Sequence, residues 1–151
     1  PTIIQEYIDS GKAIYVYKDF PLSFHEPGAT DEAGASQCVY NIGGNAKFYD
    51  YKKLIYDNTN SNGNGLAKSK LYDFAGQVGV DGNQFKDCFD NGKYKDEVTT
   101  DTSEGTAAGI TGTPGFVIGV LGSDGTVDGK RIDGAYPIED FRKIIDEMLA
   151  K

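Results

Sequence analysis

The residue pattern with the clearest chemical meaning is Thr113-Pro114, which stands between two glycines and just ahead of the apolar run 116–118. Proline has no backbone N–H, so at the head of a strand it leaves its neighbours' polar groups facing any molecule that docks there. A cis X-Pro bond costs only about 0.5–1 kcal/mol more than a trans bond, so a fold can hold it in a tight turn. The pattern predicts a loop in which the Thr113–Pro114 bond is held in one specific isomer, with cis a candidate.

The two cysteines, Cys38 and Cys88, are the next candidates for chemistry. They are too far apart in sequence to form a Cys-x-x-Cys pair, whose low thiol pKa depends on a helix N-terminus and a neighbouring cysteine. The residues alone leave two alternatives open. Either both are separate buried thiols, since cysteine is among the most buried residue types, or they form a disulfide bond. A redox-active pair is not expected.

Other potentially reactive side chains lack partners. His25 is the single histidine, a residue type that can act as a general base, but no nucleophilic cysteine or serine motif accompanies it, so we expect a surface or structural role. Asp124, Asp128 and Asp133 lack the spacing and glycine of a helix-loop-helix calcium site, which favours an ordinary acidic turn. The sequence therefore predicts no catalytic side chain, no metal site and no cofactor.

Composition restricts the class of protein. The chain has 151 residues, 38% of them hydrophobic, which is typical of one globular domain. Its formal net charge of -8 and scattered basic residues argue against nucleic-acid binding. No apolar run is long enough to span a membrane. The chain opens on Pro-Thr-Ile without a methionine or a leader, so we expect it to be a processed or trimmed piece of a longer product.

The two ends of the chain carry clear secondary-structure signals. Apolar residues at helical spacing predict an amphipathic C-terminal helix over residues 138–149, with Pro137 at its start. Helical spacing over residues 3–8 predicts an N-terminal helix that stops at Gly11. The apolar run 13–17 is predicted to form a short strand.

The middle of the chain is predicted to be mostly helical, with two strands after it. Asp81 is a candidate N-cap for the helix that carries Cys88, and Gly43-Gly44 separates two earlier helices. The expected helices cover residues 31–40, 46–56, 66–78, 81–92 and 93–108; the expected strands cover 115–120 and 129–133, joined by a turn at 123–125; and residues 58–64 are expected to form a flexible surface loop.

Several segments together resemble the DsbA-like thiol–disulfide oxidoreductases, which have a thioredoxin fold with a helical insertion. They occur in the family's order and span nearly the whole chain. The matching segments are 7–12 with 17–25, 85–94, 109–114 with 116–118, and 134–137 with Phe141 and Ile145. Two departures stand out: no Cys-x-x-Cys is present, and residues 45–51 replace the Phe-Trp pair and histidine usual in the family.

The resemblance implies an α/β, thioredoxin-like fold with an all-helical insertion at about residues 28–108. Residues 1–151 would form a single DsbA-like domain, N-terminally incomplete, that lacks the first strand and the start of the active-site helix. Thr113 and Pro114 would position a substrate peptide beside the absent cysteines. The partners implied are cysteine-containing polypeptides and a redox partner protein, in a periplasmic, cell-surface or secreted setting.

The resemblance also bears on the cysteines and on the sheet. An oxidising compartment and an even cysteine count favour a structural Cys38–Cys88 disulfide between two helices of the insertion. The missing strand would leave an open slot beside the strand at 13–17, and unpaired backbone groups there are costly when buried. We expect that slot to be closed by direct pairing, by a symmetry mate or by a separate N-terminal piece.

Two classes of function follow. The first is a thiol–disulfide oxidoreductase of exported proteins, of which this chain carries the proline half of the site and is inactive alone. The second is a non-catalytic thioredoxin-like module that keeps the Pro114 groove for binding peptides. A hydrolase is not supported, because no Gly-x-Ser-x-Gly motif is present.

Overall fold

The structure, a computed structural model, describes residues 2–59 and 65–150. The loop predicted at 58–64 lies mostly outside the described residues. A short π-helical turn, Ile4–Ile8, and a 3-10 turn, Ser23–His25, precede the main elements. Those elements are α1 (Gly28–Asn58), α2 (Lys68–Gln77), α3 (Gly82–Asp90), α4 (Lys95–Ala107), β1 (Gly115–Leu121), β2 (Val127–Asp133) and α5 (Ile138–Leu149).

The chain divides into two compact units. Residues 19–102 form the helical unit, which contains α1, α2, α3 and the start of α4. Residues 2–18 and 103–150 form the sheet unit, which contains the end of α4, both strands and α5. The insertion predicted at about residues 28–108 covers most of the helical unit. None of the described helices is both long and apolar enough to cross a membrane.

The helical unit has a core of aromatic and aliphatic side chains where α1, α2 and α3 meet. Tyr51, Leu71 and Phe85 are fully buried there. The Tyr51 hydroxyl donates to the Leu71 carbonyl at 3.0 Å, so this buried polar group is satisfied. Helix α1 continues through the two helices predicted separately, but it is kinked at Gly44, where φ is 77°. Only glycine adopts that conformation readily, so the break predicted at Gly43-Gly44 appears as a kink.

Helix α3 shows how local sequence sets an element's boundaries. The Asp81 carboxylate accepts from the backbone N–H groups of Asn83 and Gln84 at 3.0 and 2.9 Å, as predicted for an N-cap. Phe85, Cys88 and Phe89 then share one buried face. With this face α3 packs against the core of the helical unit.

The sheet of the sheet unit is an antiparallel pair in which Gly115 lies opposite Asp133 and Leu121 opposite Val127. At its centre Gly119 faces Gly129. A Cβ on either glycine would lie 2.6 Å from the Cα of the other and closer still to a backbone carbonyl of the opposite strand. The two backbones therefore meet at a distance that no side chain permits.

One face of the β1–β2 pair is covered by α5. The Phe116 ring packs edge-on against Phe141, with 4.9 Å between ring centroids. Ile132 on the same face is buried, and Lys130 forms an ion pair with Glu147 of α5 at 2.6 Å. On the opposite face Val117, Leu121 and Val127 stay exposed. The hairpin is therefore apolar on both faces but packed on one.

The strand predicted at 13–17 does not form. Residues 13–22 have no regular secondary structure, and the sheet of the described chain contains β1 and β2 alone. Ile14 and Val16 are 71% and 63% exposed. A strand needs an adjacent strand for its backbone groups, and the sheet of the described residues has no third strand beside β1 and β2, so high strand propensity does not suffice. Direct pairing, the first of the expected ways to close the sheet, therefore does not occur there.

Candidate functional site

The Thr113-Pro114 pair lies in the loop between α4 and β1. Both residues are exposed, and the peptide bond between them is cis. The Pro114 carbonyl accepts from the Gly134 N–H at 2.8 Å, which extends the β1–β2 ladder one pair beyond β1. The proline therefore stands at the head of β1, fixed from the side of β2.

The same ladder sets the direction of the neighbouring backbone groups. Consecutive residues of an antiparallel strand direct their N–H and C=O groups to opposite sides. Since Pro114 faces β2, Gly115 and Val117 direct theirs to the other edge of β1. No strand of the described chain pairs with that edge. Thr113 and Pro114 thus lie exposed at the head of a row of outward backbone donors and acceptors.

The loop begins directly after the hydrogen-bonded C-terminal end of α4. Gly109 has a φ of 80° and its N–H donates to the Thr106 carbonyl at 2.9 Å, while the Ile110 N–H donates to the Gly105 carbonyl at 2.8 Å. This is the hydrogen-bond pattern of a glycine-terminated helix. Ile110 is buried next, so the chain turns inward before it emerges at Thr113.

Charged side chains anchor the N-terminal turn to α5 within the sheet unit. The Arg142 guanidinium donates to the Glu6 carboxylate at 2.8 and 2.6 Å, and the Tyr7 hydroxyl donates to Asp146 at 2.9 Å. The Arg142 hydrogen bonds lower the pKa of Glu6. Burial and the hydrogen bond to Asp146 raise the pKa of the Tyr7 hydroxyl. These contacts hold residues 2–8 on α5.

Cys38 of α1 and Cys88 of α3 are joined by a disulfide bond in the helical unit, with 5.9 Å between their Cα atoms. They are 1% and 5% exposed. A groove of about 410 Å³ adjoins the bond, and its walls carry Phe89, Tyr94 and Val98 beside acidic and basic side chains. Both sulfurs are bonded and buried, so neither is placed to act as a nucleophile.

A buried charged cluster in the helical unit was not predicted from the sequence. Asp19 is 2% exposed; its carboxylate accepts from Gln37 at 2.8 Å and lies 3.5 Å from the Lys52 ammonium. Its backbone N–H donates to the Asp101 carboxylate at 2.9 Å, which joins the two ends of the unit. Burial raises the pKa of Asp19, while Lys52 and Gln37 act in the opposite direction. The contacts span 18 to 82 residues, so no local pattern could reveal them.

The remaining predicted candidates stay apart from any site. The His25 ring is half-buried and lies 4.4 Å from the Phe24 ring. The Asp124 carboxylate accepts from the N–H and hydroxyl of Thr126, and these hydrogen bonds lower its pKa. Within the described ranges, no group of three or more His, Cys, Asp or Glu side chains could hold a metal ion.

The predicted site residues thus fall into two groups. Thr113 and Pro114 lie at the strand head of the sheet unit. Cys38, Cys88 and His25 belong to the helical unit. The described chain has no free cysteine.

Residues 2–147 match the model of a thioredoxin family, and the chain belongs to that family. Within that family the structure has a DsbA-like form, a thioredoxin-like fold with a helical insertion.

Solved structures of DsbA-type proteins share this form. It is similar to oxidised BdbD from Bacillus subtilis, with a TM-score of 0.80 and 19% identity over 100% of this chain and 76% of that one. A single-residue variant of alpha-DsbA1 from Wolbachia pipientis gives 0.78 and 22%, over 99% of this chain and 75% of that one. The thiol-disulfide exchange protein alpha-DsbA2 of the same organism gives 0.73 and 20%, over 97% and 71%. At these identities the likeness concerns the fold. No curated protein sequence matches the chain.

Proposed function

We propose that this chain is the peptide-docking part of a DsbA-type thiol–disulfide oxidoreductase that forms or isomerises disulfide bonds in exported proteins. The observation that carries the proposal is the exposed Thr113-Pro114 pair at the head of the outward edge of β1. An extended polypeptide can add to such an edge through main-chain hydrogen bonds. Membership of the thioredoxin family and the DsbA-like fold support this function.

The reactive sulfurs of this enzyme are proposed to lie outside the present sequence. The chain has two cysteines and both belong to one disulfide, so a Cys-x-x-Cys pair must come from another segment or chain. In oxidation, a substrate thiolate attacks the disulfide of that pair and forms a mixed disulfide. The second substrate thiolate then resolves it, which oxidises two substrate thiols and reduces the enzyme pair. A redox partner protein reoxidises the enzyme.

The Cys38–Cys88 bond is assigned a structural role in this proposal. Its sulfurs are buried between α1 and α3, where a thiolate of another protein has no access. A bond of this kind is typical of oxidising compartments, which agrees with a periplasmic, cell-surface or secreted location.

The outward edge of β1 also bears on how the sheet is completed. A row of unpaired backbone groups is a template for another strand. We propose that an N-terminal strand or a second copy of the chain pairs with the part of this edge that follows Gly115 in sequence. Thr113 then stays available to the substrate. Cysteine-containing polypeptides remain the substrate class.

A second function uses the same surface without redox chemistry. A thioredoxin-like module without reactive cysteines would bind extended peptides at Pro114 and release them unchanged. This alternative is favoured because both cysteines of the chain belong to a buried disulfide and neither can react. The reading frame upstream of Pro1 separates the two: a strand followed by Cys-x-x-Cys supports the enzyme, and its absence supports the module.

Two measurements test the proposal on the protein itself. The present chain should not reduce insulin under either alternative, and turnover in that assay would overturn the role given to its cysteines.

In the second measurement, fluorescein-labelled, S-carboxamidomethylated insulin B chain should shift the Thr113 and Gly115 amide signals in a nitrogen-15 NMR spectrum. Pro114→Ala should weaken this binding, whereas Pro137→Ala, an exposed proline of the same unit, should not. Unshifted amides at saturating peptide would refute docking at this edge.

A further inference from the structure

The loop that carries Thr113 is held at one end by Arg131 of β2 and at the other by Gly134, the residue that follows β2. At the far end, the Gly134 N–H donates to the Pro114 carbonyl at 2.8 Å. At the near end, Nη1 of Arg131 donates to the Gly109 carbonyl at 2.5 Å. Arg131 and Gly134 are three residues apart, so one short stretch of chain sets both ends of the loop. The Gly134 contact continues the ladder, whereas the Arg131 contact is made by a side chain.

The Arg131 guanidinium is itself oriented by a neighbour on the same strand. Its Nε donates to the Asp133 carboxylate at 3.0 Å. Residues two apart on a strand point to the same face, so this pair fits the register of β2. Two different N–H groups of one planar cation thus join an acid and a backbone carbonyl, a geometry that favours arginine over lysine.

The Gly109 carbonyl is a suitable point from which to fix the loop. It lies just past the end of α4, where helix carbonyls have no partner within the helix and where a cation is favoured by the helix dipole. Gly109 has a φ of 80°, and a Cβ there would overlap the Arg131 guanidinium. The glycine is therefore needed both for the turn and for the close approach of Arg131.

Packing of Ile110 against Gly115 connects the position of Gly109 to that of Thr113. Ile110 is buried, and a Cβ on Gly115 would lie only 2.8 Å from the Ile110 side chain. Ile110 therefore lies directly against the first residue of β1, and the intervening residues 111–114 form a tight loop over this contact. A shift of Gly109 moves Ile110 and, with it, the loop that presents Thr113.

From these contacts we infer that Arg131 is a positioning residue for peptide docking: it sets where Thr113 and Pro114 stand relative to the outward edge of β1. The inference rests on the proposed function, because it assumes that an extended peptide binds at this edge. Arg131 acts through Gly109 and Ile110 and is not assigned a contact with the peptide. It links the end of α4 to the place where the peptide would pair.

The test compares Arg131→Ala and Arg131→Lys with Lys130→Ala in the full chain. Lys130 is the matched control, because it is the adjacent cation of β2 and its ion pair with Glu147 lies on the α5-covered face. The probe is the labelled, S-carboxamidomethylated insulin B chain, with Kd measured by fluorescence anisotropy and the Thr113 amide followed by NMR. Arg131→Ala should raise Kd about tenfold, the equivalent of one charge-assisted hydrogen bond. Arg131→Lys should not restore the wild-type value, and Lys130→Ala should stay within about twofold.

The outcomes separate this inference from the proposed function. Failure of the wild type to bind the peptide, or to shift its Thr113 amide, overturns both. Wild-type binding that Arg131→Ala leaves unchanged overturns the inference alone. Equal weakening by Arg131→Ala and Lys130→Ala also overturns it, since a general loss of positive charge would then account for the result. If Arg131→Ala fails to fold, the Arg131→Lys variant provides the test. Wild-type affinity in a folded Arg131→Lys protein would show that the planar guanidinium is not required, which overturns the inference.

Discussion

The helical unit and the sheet unit bury their apolar side chains to very different degrees. In the helical unit α1, α2 and α3 enclose a shared core, and a disulfide joins α1 to α3. Among the described residues of the sheet unit the buried apolar side chains are Tyr7, Ile110, Ile132 and Ile145, while one face of the hairpin stays exposed. The difference predicts that stability is concentrated in the helical unit, whereas the proposed docking edge lies in the sheet unit, as expected if binding regions are drawn from the less stable parts of a protein.

The largest expected effect comes from Phe85, which is fully buried in the helical core. Phe85→Ala should lower the free energy of unfolding by about 3–5 kcal/mol, because it removes a large apolar side chain and leaves a cavity. Urea unfolding followed by circular dichroism measures this loss. Phe24, 73% exposed in the same unit, is the control, and Phe24→Ala should cost less than about 1 kcal/mol. Similar losses in the two variants would show that the helical core is not the source of stability.

The disulfide should contribute almost as much. Replacing both Cys38 and Cys88 by alanine frees a loop with a sequence separation of 50 residues, which corresponds to about 4 kcal/mol in the chain-entropy model. Amide hydrogen exchange should then accelerate in α1 and α3 and stay at its wild-type rate in β1 and β2. Equal acceleration in the hairpin would break the comparison, because it would mean that the two units unfold together.

Two carboxyl groups of the helical unit should respond to pH with opposite signs. Burial raises the pKa of Asp19 above its ordinary 3.8, so its contribution to stability is complete below that pH and is lost as pH rises through the raised value. Hydrogen bonds from Lys86 and Tyr72 lower the pKa of Asp90, so its contribution is present above 3.8 and is lost as pH falls. The hydrogen bond between Tyr72 and Asp90 also raises the pKa of the Tyr72 hydroxyl to about 12.

The corresponding variants are Asp19→Asn and Asp90→Asn, measured by urea unfolding from about pH 3 to pH 7. Relative to the wild type, Asp19→Asn should become more stable as the pH rises, and Asp90→Asn less stable. Parallel pH profiles for the two variants would contradict the difference between a buried and an exposed carboxylate.

The smallest effect is expected on the open face of the hairpin. Leu121 is 55% exposed, so Leu121→Ser should change the free energy of unfolding by no more than about 0.5 kcal/mol. Ile132→Ala, on the covered face of the same hairpin, should cost about 2–5 kcal/mol. Thermal unfolding of the two variants measures the contrast. A large loss from Leu121→Ser would mean that this face is covered in the folded protein.

Features with a local cause could be predicted from the sequence. The Asp81 cap, the break at Gly44 and the helix after Pro137 each depend on residues within one turn of the feature. The β1–β2 hairpin is of the same kind, because the short turn at residues 123–125 joins its two strands. The Thr113-Pro114 loop was identified because the proline stands directly ahead of an apolar run, which is also a local pattern.

Features that depend on distant partners could not be predicted. The run 13–17 has strand propensity, but a strand exists only where another strand accepts its hydrogen bonds. The Asp19 cluster brings together residues from four separate positions, and nothing near Asp19 indicates that Lys52 or Asp101 will face it. Arg131 gives no signal either, because an arginine on a strand is ordinarily a solvated side chain. Its contact with Gly109 appears only once α4 and β2 are placed together.

The glycine pair at the centre of the hairpin has a consequence for errors in folding. Gly119 and Gly129 meet where no Cβ fits, so this close approach of the two strands is possible only when these residues lie opposite each other. A slip by two residues would keep every side chain on its proper face, yet it would bring Arg131 or Val127 opposite Gly119. The strands would then be held apart at the very point of closest approach. The close glycine contact is therefore specific to the register in which Pro114 lies opposite Gly134, whereas hydrophobic patterning alone would also accept a shift by two residues.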